Sequence, residues 1–327
     1  MTSVRKPVAS AIVALMLLAN VALAQSPAKI VFSTDWLAEA EHGGFYQAVA
    51  EGIYRKYGLD VDVRMGGPQV NGLQLLAAGR LDVAMADALQ VTSAIDQNVP
   101  IVAIAATFQK NPTVIIAHPG VRSLEDLKGK PIAIGAASNT TFWPWLREKY
   151  GFTDDQKRPY GFSVQPFLAD PQLSQQGFVT SEPFSIEKAG VRPVVFLLAD
   201  YGYPPYSEVL AVTRDTLAKK REVIERFVRA SAEGWKRYLE DPAAGNALIK
   251  KANPQMSDAL IAYGVAKMRE YRIVTGGDAQ RLGLLTMTDA RWKATDDFLH
   301  SARLAKPGVD YARAYTLDIV KAVRVVP

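Results

Sequence analysis

The sequence contains no cysteine and only three histidines, and it has no long apolar run beyond its first residues. Without cysteine there are no disulfide bonds, thiol nucleophiles, cysteine-based zinc sites or thiolate-held iron–sulfur clusters, and no lipid anchor on an N-terminal cysteine. The HExxH, P-loop and GxSxG motifs and any paired-carboxylate motif are also missing. These absences favour a binding protein over an enzyme. We expect no catalytic residue, no metal site and no cofactor.

The composition that is present is typical of a globular protein. The 327 residues are 49% hydrophobic and 22% charged, which argues against a disordered, collagen-like or coiled-coil chain. This length predicts two domains, each large enough to bury its own core. The formal charge of +5 comes from interspersed basic and acidic residues, so we expect no nucleic-acid partner.

The first 24 residues have the pattern of a secretory signal peptide. Arg5 and Lys6 precede the uncharged run 8–24, which ends in an A-x-A sequence at Ala24. An uncleaved membrane anchor is the alternative, although the run is marginal in length for spanning a bilayer. We expect cleavage after Ala24 and export of the protein. An exported protein without a lipid anchor needs an outer membrane to retain it, which points to a Gram-negative periplasm.

Short apolar strands alternate with helices over residues 29–213, with one helix expected at 43–57 and a strand at 162–168, and the remainder reads as helical. This order predicts an α/β fold with mostly parallel sheets flanked by helices. We expect the chain to enter a second lobe, residues 118–213, and to return, so that residues 25–117 and 214–327 form the first lobe. Two extended crossings would make a hinge and leave a ligand cleft between the lobes.

An ordered set of motifs resembles a known family. Asp35-Trp36 is followed by HGGFY at 42–46 and by EGIYRKYGLDV at 51–61, and GRLDVA, SLEDLKGK, TSEP and DYG follow in order up to residue 202. The set resembles periplasmic substrate-binding proteins of ABC importers, in the branch for nitrate, sulfonates, taurine and pyrimidine precursors of thiamine. The resemblance implies a two-lobed periplasmic-binding fold, type II like, that closes over one ligand and docks on a permease in the inner membrane. In the thiamine-related subgroup of this family the first motif commonly reads DW-x-P-N, whereas residues 35–39 of this sequence read DWLAE.

Four candidate ligand-binding residues belong to the first lobe. Trp36 follows the first strand, at the sheet edge where ligands bind, and its ring either stacks on a ligand or packs in the core. His42 precedes a helix and either hydrogen-bonds the ligand or caps that helix. Tyr46, one turn later, either lines the same edge or packs. Asp87 either accepts hydrogen bonds from a ligand amine or N-caps the next helix.

The other candidates belong to the second lobe. Residues 135–141 join a strand to a helix and offer free N–H groups or simple caps, with Ser138, Asn139 and Thr140 as candidates. One of two following tryptophans can face the cleft, and Trp143 is our candidate. Glu182 can take two N–H donors from an aminopyrimidine-like ring or remain a solvated acid. In the loop sequence YGYPPY, we expect one or two rings of Tyr201, Tyr203 and Tyr206 to form a stacking wall and the others to pack, beside the hinge.

These residues favour a monomeric solute-binding protein for a small planar heterocycle, with a thiamine-precursor pyrimidine as the first choice. Nitrate, a sulfonate, taurine or another small organic acid is the alternative ligand, but the motifs offer aromatic rings and acids rather than cations. A pyrimidine-synthesis enzyme of related fold is an alternative from a different class. A sensory module that presents the bound ligand to a receptor is a third possibility, which the residues do not separate from a transporter component.

Overall fold

A computed structural model describes residues 26–327, so the predicted signal peptide lies outside the described residues. Over those residues, no helix combines the length and the apolar character needed to cross a bilayer. Ten strands form two five-stranded sheets, one in each lobe. The strands are β1 (Ala28–Ser33), β2 (Leu59–Arg64), β3 (Val83–Ala86), β4 (Ile101–Ala106), β5 (Thr113–Ala117), β6 (Ile132–Ile134), β7 (Lys157–Pro159), β8 (Ser174–Phe178), β9 (Val194–Leu197) and β10 (Val209–Thr213).

Helices flank both sheets. The α-helices are α1 (Gly43–Ala50), α2 (Ile53–Lys56), α3 (Gly72–Ala77), α4 (Ala88–Asp96), α5 (Phe142–Tyr150), α6 (Gln165–Ala169), α7 (Glu182–Lys188), α8 (Arg214–Glu240), α9 (Ala243–Ala252), α10 (Asp258–Glu270), α11 (Ala279–Leu282), α12 (Asp289–Ser301) and α13 (Asp318–Ala322). Short 3-10 turns add residues 40–42, 125–127, 136–140, 154–156, 198–201 and 311–314. The predicted α/β class with flanked, mostly parallel sheets is confirmed.

Each sheet contains one reversed strand. The first sheet has the order β2-β1-β3-β10-β4, and β10 runs antiparallel to both neighbours. The second sheet has the order β7-β6-β8-β5-β9, and β5 is the strand antiparallel to its neighbours. These two strands differ from the predicted lobe assignment, because β5 joins the second sheet and β10 joins the first. Both are apolar except for one terminal threonine, and an apolar strand does not encode which sheet it completes.

Two local predictions of secondary structure were wrong. Residues 162–168 were predicted as a strand, but α6 begins at Gln165, and Pro166 stands at its first turn, where proline is tolerated. The short apolar run at 162–168 fits both the period of a strand, about two residues, and that of a helix, about 3.6 residues, so the pattern was ambiguous. Residues 43–57 were predicted as one helix, but Gly52 divides it with a left-handed φ of 68°.

The two chain crossings between the lobes are bonded to each other. The Thr107 N–H donates to the Glu208 carbonyl at 2.9 Å, and the Asn111 side-chain amide donates to the Pro205 carbonyl at 3.2 Å. Arg291 of α12 donates to the Pro204 carbonyl at 3.0 Å as well. The hinge side is therefore a hydrogen-bonded pair of segments braced by a helix from the C-terminal region.

The helical C-terminal part packs on both lobes. In the first lobe, α1 lies so close to α8 that a Cβ on Gly44 would stand 2.3 Å from the Trp235 ring, so only glycine fits there. In the second lobe, Phe298 of α12 packs edge-on against Tyr203, with ring centroids 6.0 Å apart. The expectation that this region packs on the first lobe alone was incomplete, because the second lobe's core also needs cover for its apolar face.

Candidate functional site

A cleft of about 1060 Å³ lies between the lobes, at the upper end of the usual size for small-molecule sites. The first lobe contributes the loop after β1, residues 67–74 and 77, the end of β3 and part of α4. The second lobe contributes residues 136, 137, 140, 160 and 162. Among the described residues that line this cleft there is no lysine and no arginine. The lining therefore offers hydrogen-bond acceptors and aromatic faces but no cationic side chain for an anionic ligand.

Two aromatic rings from opposite lobes meet across the cleft. The Trp36 and Phe162 ring centroids are 4.6 Å apart, with an angle of 48° between the planes. Trp36 follows β1, as predicted for a residue at the carboxyl end of a parallel strand. Phe162 is 48% exposed, which is unusual for a large apolar side chain. The pair provides an apolar face on each side of the cleft.

The aromatic contact continues to a carboxylate in the second lobe. The Tyr160 ring lies 5.1 Å from Phe162, and its hydroxyl donates to Glu182 Oε1 at 2.9 Å. Burial, and then the charge of Glu182, raises the pKa of Tyr160, so its hydroxyl stays protonated and donates. The Phe178 N–H donates to Glu182 Oε2 at 2.8 Å. We call Trp36, Phe162 and Tyr160 the aromatic row, and Glu182 stands at its end.

Six carboxyl groups gather beside the cleft, and we call them the acidic cluster: Asp35, Glu39, Glu41, Asp87, Glu182 and Glu208. Burial raises the pKa of Glu208 well above its ordinary value, and repulsion from neighbouring carboxylates, Asp35 first, adds to the rise. Burial followed by repulsion from Glu41 does the same to the pKa of Glu39. Burial also raises the pKa of Glu41. The cluster therefore favours a hydrogen-bond donor or a cation nearby.

His42 is the basic residue within this acidic environment. Its Nε2 lies 3.3 Å from Asp35 Oδ1 and 3.9 Å from Glu208 Oε2. The side chain does not cap α1, so the predicted capping alternative was wrong. Glu208 has a left-handed φ of 56°, a conformation that residues other than glycine seldom adopt.

Asp87 caps α4, which confirms one of its two predicted roles. Its Oδ1 accepts the Leu89 N–H at 2.8 Å, and Gln90 completes a capping box by accepting the Asp87 N–H at 2.9 Å. Burial, and to a lesser extent repulsion from Asp35, raises the pKa of Asp87 to about 7. Its neighbours Ala86 and Gln90 line the cleft, so the ligand role of Asp87 stays a prediction.

The raised pKa of Asp87 makes stability depend on pH. The folded state keeps this proton up to about pH 7, whereas the unfolded state releases it near pH 4, so the contribution is full below pH 4 and is lost as the pH rises to 7. Asp87→Asn keeps the cap and removes the charge, so we expect its free energy of unfolding at pH 8 to exceed the wild-type value by about 2 kcal/mol, a figure reduced for partial exposure. Urea unfolding at pH 4, 6 and 8 measures this difference.

The matched control is Asp310→Asn, because Asp310 also caps a turn, accepting the Ala312 N–H at 3.0 Å, but is exposed. It is expected to leave the pH profile unchanged. An Asp87→Asn variant less stable than the wild type at every pH would show that the charged cap outweighs the cost of its burial.

The donors of the predicted loop 135–141 are partly occupied. The Gly135 N–H and the Ser138 hydroxyl both donate to Gln176 Oε1, each at 2.6 Å. Asn139 is exposed and its Oδ1 accepts from Lys157 Nζ at 2.9 Å. Thr140 is exposed and lines the cleft. Of these three predicted residues, the structure therefore brings Thr140 to the cleft.

Trp143 does not face the cleft, contrary to its prediction. It is 1% exposed in the core of the second lobe, and its Nε1 donates to Asp154 Oδ1 at 2.8 Å. Trp145 is buried in the same core, so neither tryptophan of α5 lines the cleft. The aromatic face of α5 points toward the second sheet, because that sheet needs large side chains to cover its apolar surface.

The YGYPPY loop does not form a stacking wall. Tyr203 packs edge-on against Trp145 at 5.5 Å. Tyr206 is fully buried, and its hydroxyl accepts the Thr288 N–H at 3.1 Å. Tyr201 is half-buried against Phe196, with ring centroids 6.0 Å apart. These rings fill space beside the second crossing, so the packing alternative is the one the structure supports.

Tyr46 is also buried, with its exposed fraction at 5%. Its hydroxyl has no hydrogen-bond partner among the described residues. Burial raises its pKa to about 12. The structure places Tyr46 in the core of the first lobe, one turn from His42.

Several residues that line the cleft were missed in the sequence. Phe162 and Tyr160 follow β7, a three-residue strand too short and polar to predict. Amide side chains form a second group, contributed by Gln69, Asn71, Gln74, Gln90 and Gln97. For Gln69 a signal was available in the sequence. The Gly-Gly-Pro sequence 66–68 precedes it and follows a parallel strand, at the sheet edge where ligands bind.

Known proteins resemble this chain over most of its length. The riboflavin-binding protein RibY of Chloroflexus aurantiacus is 22% identical over 302 residues, which cover 89% of this chain and 86% of RibY. The formylaminopyrimidine-binding protein of Halalkalibacterium halodurans is 25% identical over 218 residues, covering 64% of this chain and 66% of that protein.

A solved structure shares the fold of this chain, and a family profile matches much of its sequence. The periplasmic aliphatic sulphonate binding protein SsuA of Escherichia coli superposes with a TM-score of 0.66 at 15% identity, over 88% of this chain and 92% of SsuA, and so shares the fold. The profile of the family described as NMT1/THI5 like matches residues 39–245. That match confirms the resemblance carried by the sequence motifs. Because it spans more than half of the chain, the protein belongs to the NMT1/THI5-like family.

Proposed function

We propose that this protein is the extracytoplasmic solute-binding component of an ABC importer and that it captures a small planar nitrogen heterocycle between its lobes. The observation that carries the proposal is the pair of rings, Trp36 and Phe162, which face each other from opposite lobes at 4.6 Å. A planar ligand inserted between them requires the rings to separate to about 7 Å, twice the van der Waals contact distance. Opening and closing of the two lobes supplies that adjustment.

The polar surroundings favour a heterocycle with N–H donors. Glu182 stands at the end of the aromatic row, where its Oε1 accepts from Tyr160 and its Oε2 accepts from the Phe178 N–H and the Ser181 hydroxyl, so about one acceptor position is left for a ring amine. The amide side chains that line the cleft can satisfy further ring nitrogens and carbonyls. Pyrimidines are the first choice, and the cleft volume also admits a fused ring. The names of the two curated relatives point in the same direction.

The alternative ligand class, nitrate or a sulfonate, is less well supported. An anion binds best where Lys, Arg or free N–H groups converge, and none of the cleft-lining residues described is Lys or Arg. We infer no enzymatic activity, because RibY and the formylaminopyrimidine-binding protein, the two relatives compared above, are both named as binding proteins.

The site of action follows from the same proposal. We infer that residues 1–24 direct export, that the mature chain acts in the periplasm as a monomer, and that a permease of the inner membrane receives the ligand. A gene for a permease and one for an ATPase beside this gene would support a transporter rather than a sensor.

Thermal unfolding in the presence of candidate ligands tests the proposal. The panel contains pyrimidines, flavins, purines, aromatic acids, sulfonates and nitrate, each with purified mature protein. A specific ligand at 100 times its dissociation constant adds about 2.7 kcal/mol to the free energy of unfolding. We expect the melting temperature to rise with a heterocycle. A rise with sulfonates or nitrate alone would overturn the proposal.

Glu182→Gln adds a second arm to this experiment. The variant loses the charge that strengthens a hydrogen bond to a ring amine, worth about 1.5 kcal/mol, so the affinity for the heterocycle is expected to fall about 10-fold. Glu187→Gln is the control, because Glu187 is an exposed residue of the same helix, α7. Equal affinities in both variants and the wild type would place the heterocycle away from Glu182.

A further inference from the structure

Three side chains from separate parts of the chain bring metal-binding atoms together beside the cleft. Asp35 follows β1, His42 directly precedes α1, and Glu208 lies in the second crossing, directly before β10. One oxygen or nitrogen from each lies within 4.8 Å of the others. His42 Nε2 is 3.3 Å from Asp35 Oδ1 and 3.9 Å from Glu208 Oε2. In a tetrahedral zinc site with bonds of about 2.0 Å, the ligand atoms are about 3.3 Å apart, so the spacing between His42 and Asp35 already fits and the Glu208 carboxylate would have to move closer.

The Glu208 carboxylate of this group is buried, and a positive charge beside it would stabilise it. The Glu208 side chain is 2% exposed, and its Oε2, the atom that faces His42, has no hydrogen-bond partner among the described residues. A buried carboxylate oxygen without a partner carries a large desolvation cost. A cation between the three side chains would satisfy this oxygen and the Asp35 oxygen together.

We propose that Asp35, His42 and Glu208 form a binding site for one divalent first-row transition-metal ion of the Zn²⁺ class. One imidazole and two carboxylates form a donor set that suits such an ion, and they leave a coordination position open. The open side faces the cleft, because Asp35 is 35% exposed and lines it. The absence of cysteine does not bear on such a site, since none of the three ligands is a thiol.

The proposed ion goes beyond the capture of a heterocycle. It would tie the loop that carries Trp36 to α1 and to the second crossing, and so would fix one wall of the cleft relative to the hinge. It would also place an electron-pair acceptor at the edge of the cleft, where a ring nitrogen or a carboxylate of a ligand can reach it. The sequence prediction of no metal site rested on the absence of cysteine, the small number of histidines and the lack of a metal-binding motif, whereas here a single histidine suffices with two carboxylates.

Titration of tag-free, EDTA-stripped mature protein with Zn²⁺ alone tests this proposal. We expect one saturable site per chain by calorimetry, and visible absorption of a four- or five-coordinate complex when Co²⁺ replaces Zn²⁺. Asp35→Asn, His42→Gln and Glu208→Gln are each expected to weaken Zn²⁺ binding at least about 10-fold, the size of effect seen even for residues that only support a metal ligand. Melting curves without metal verify that each variant folds, and Asp35→Asn changes the most exposed of the three side chains.

His300→Gln is the matched control. His300 also lies near a carboxylate, with its Nε2 3.6 Å from Asp296 Oδ1, but the pair is on the exposed face of α12. Its loss is expected to leave Zn²⁺ binding unchanged. The proposal is overturned if the wild type shows no saturable site, or if binding survives in all three ligand variants. Heterocycle binding measured in EDTA is independent of the metal, so failure of this proposal is distinguishable from failure of the proposed function.

Discussion

Replacing Trp36 with alanine is expected to weaken heterocycle binding by about 10- to 100-fold without lowering the melting temperature by more than a few degrees. Stacking of a flat heterocycle on an aromatic side chain is worth about 1–3 kcal/mol, and Trp36 supplies one of the two faces of the cleft. Its ring is only partly buried and contacts Phe162 across the cleft rather than a core. Calorimetric titration with the ligand found in the thermal panel measures the effect.

A second variant and a control show whether the loss of affinity in Trp36→Ala comes from stacking in the cleft. Phe162→Ala removes the opposite face and is expected to weaken binding by a similar factor. Tyr263→Ala is the control, because Tyr263 packs against Phe184 away from the cleft-lining residues, with ring centroids 5.3 Å apart. Wild-type affinity in both Trp36→Ala and Phe162→Ala would show that the ligand does not bind between the two rings.

Replacing Trp235 with alanine is expected to lower the free energy of unfolding by about 3–5 kcal/mol, the usual cost of removing a fully buried tryptophan. This is a large part of the 5–15 kcal/mol that stabilises a typical domain. The side chain is fully buried and makes edge-on contacts with Phe45, Phe108 and Tyr238 at centroid distances of 5.9–6.1 Å. Urea unfolding followed by circular dichroism measures the loss.

Trp235→Phe separates ring packing from the indole N–H. The Trp235 Nε1 is buried and has no hydrogen-bond partner within residues 26–327, so phenylalanine removes an unsatisfied donor while keeping an aromatic ring. We expect this variant to lose less than about 1.5 kcal/mol. If Trp235→Ala and Trp235→Phe lowered the free energy of unfolding equally, the shape of the indole ring would matter more than the volume it fills.

The contact between α1 and Trp235 links the stability of the first lobe to the geometry around His42. Gly44 of α1 packs directly on the Trp235 ring, and α1 begins next to His42. A cavity at Trp235 therefore allows α1 to shift and to carry His42 away from Asp35 and Glu208. The alanine variant is the stronger test of this link, because its cavity is larger.

Residues whose role depends on nearby sequence were predictable. Asp87 follows a strand and precedes a helix, and its capping geometry is local, so the pattern sufficed to predict the cap. Trp36 was predictable for a similar reason, because it lies three residues after the end of β1, a strand parallel to both its neighbours. Glu182 was predicted as a site candidate, but its hydrogen bond from Tyr160 comes from a strand region that no pattern revealed.

Aromatic residues were the least predictable. Trp143, Tyr203 and Tyr206 have the same chemistry as Trp36 and Phe162, yet the first three are core and the last two face the cleft. An aromatic side chain suits either place, since both bury apolar surface. Only the packing of α5 and of the second crossing against the sheets decides which rings are left for a ligand.

By itself, the sequence determined the α/β class, the sheet-and-helix alternation, the family resemblance and the capped ends of individual helices. These depend on residue period, composition and contacts a few positions apart, and such information is written locally along a chain. The tertiary structure alone decided which sheet β5 and β10 complete, that Phe162 opposes Trp36, and that Asp35, His42 and Glu208 meet. These contacts join segments far apart in sequence, and burial of the two cores, not any local pattern, brings them together.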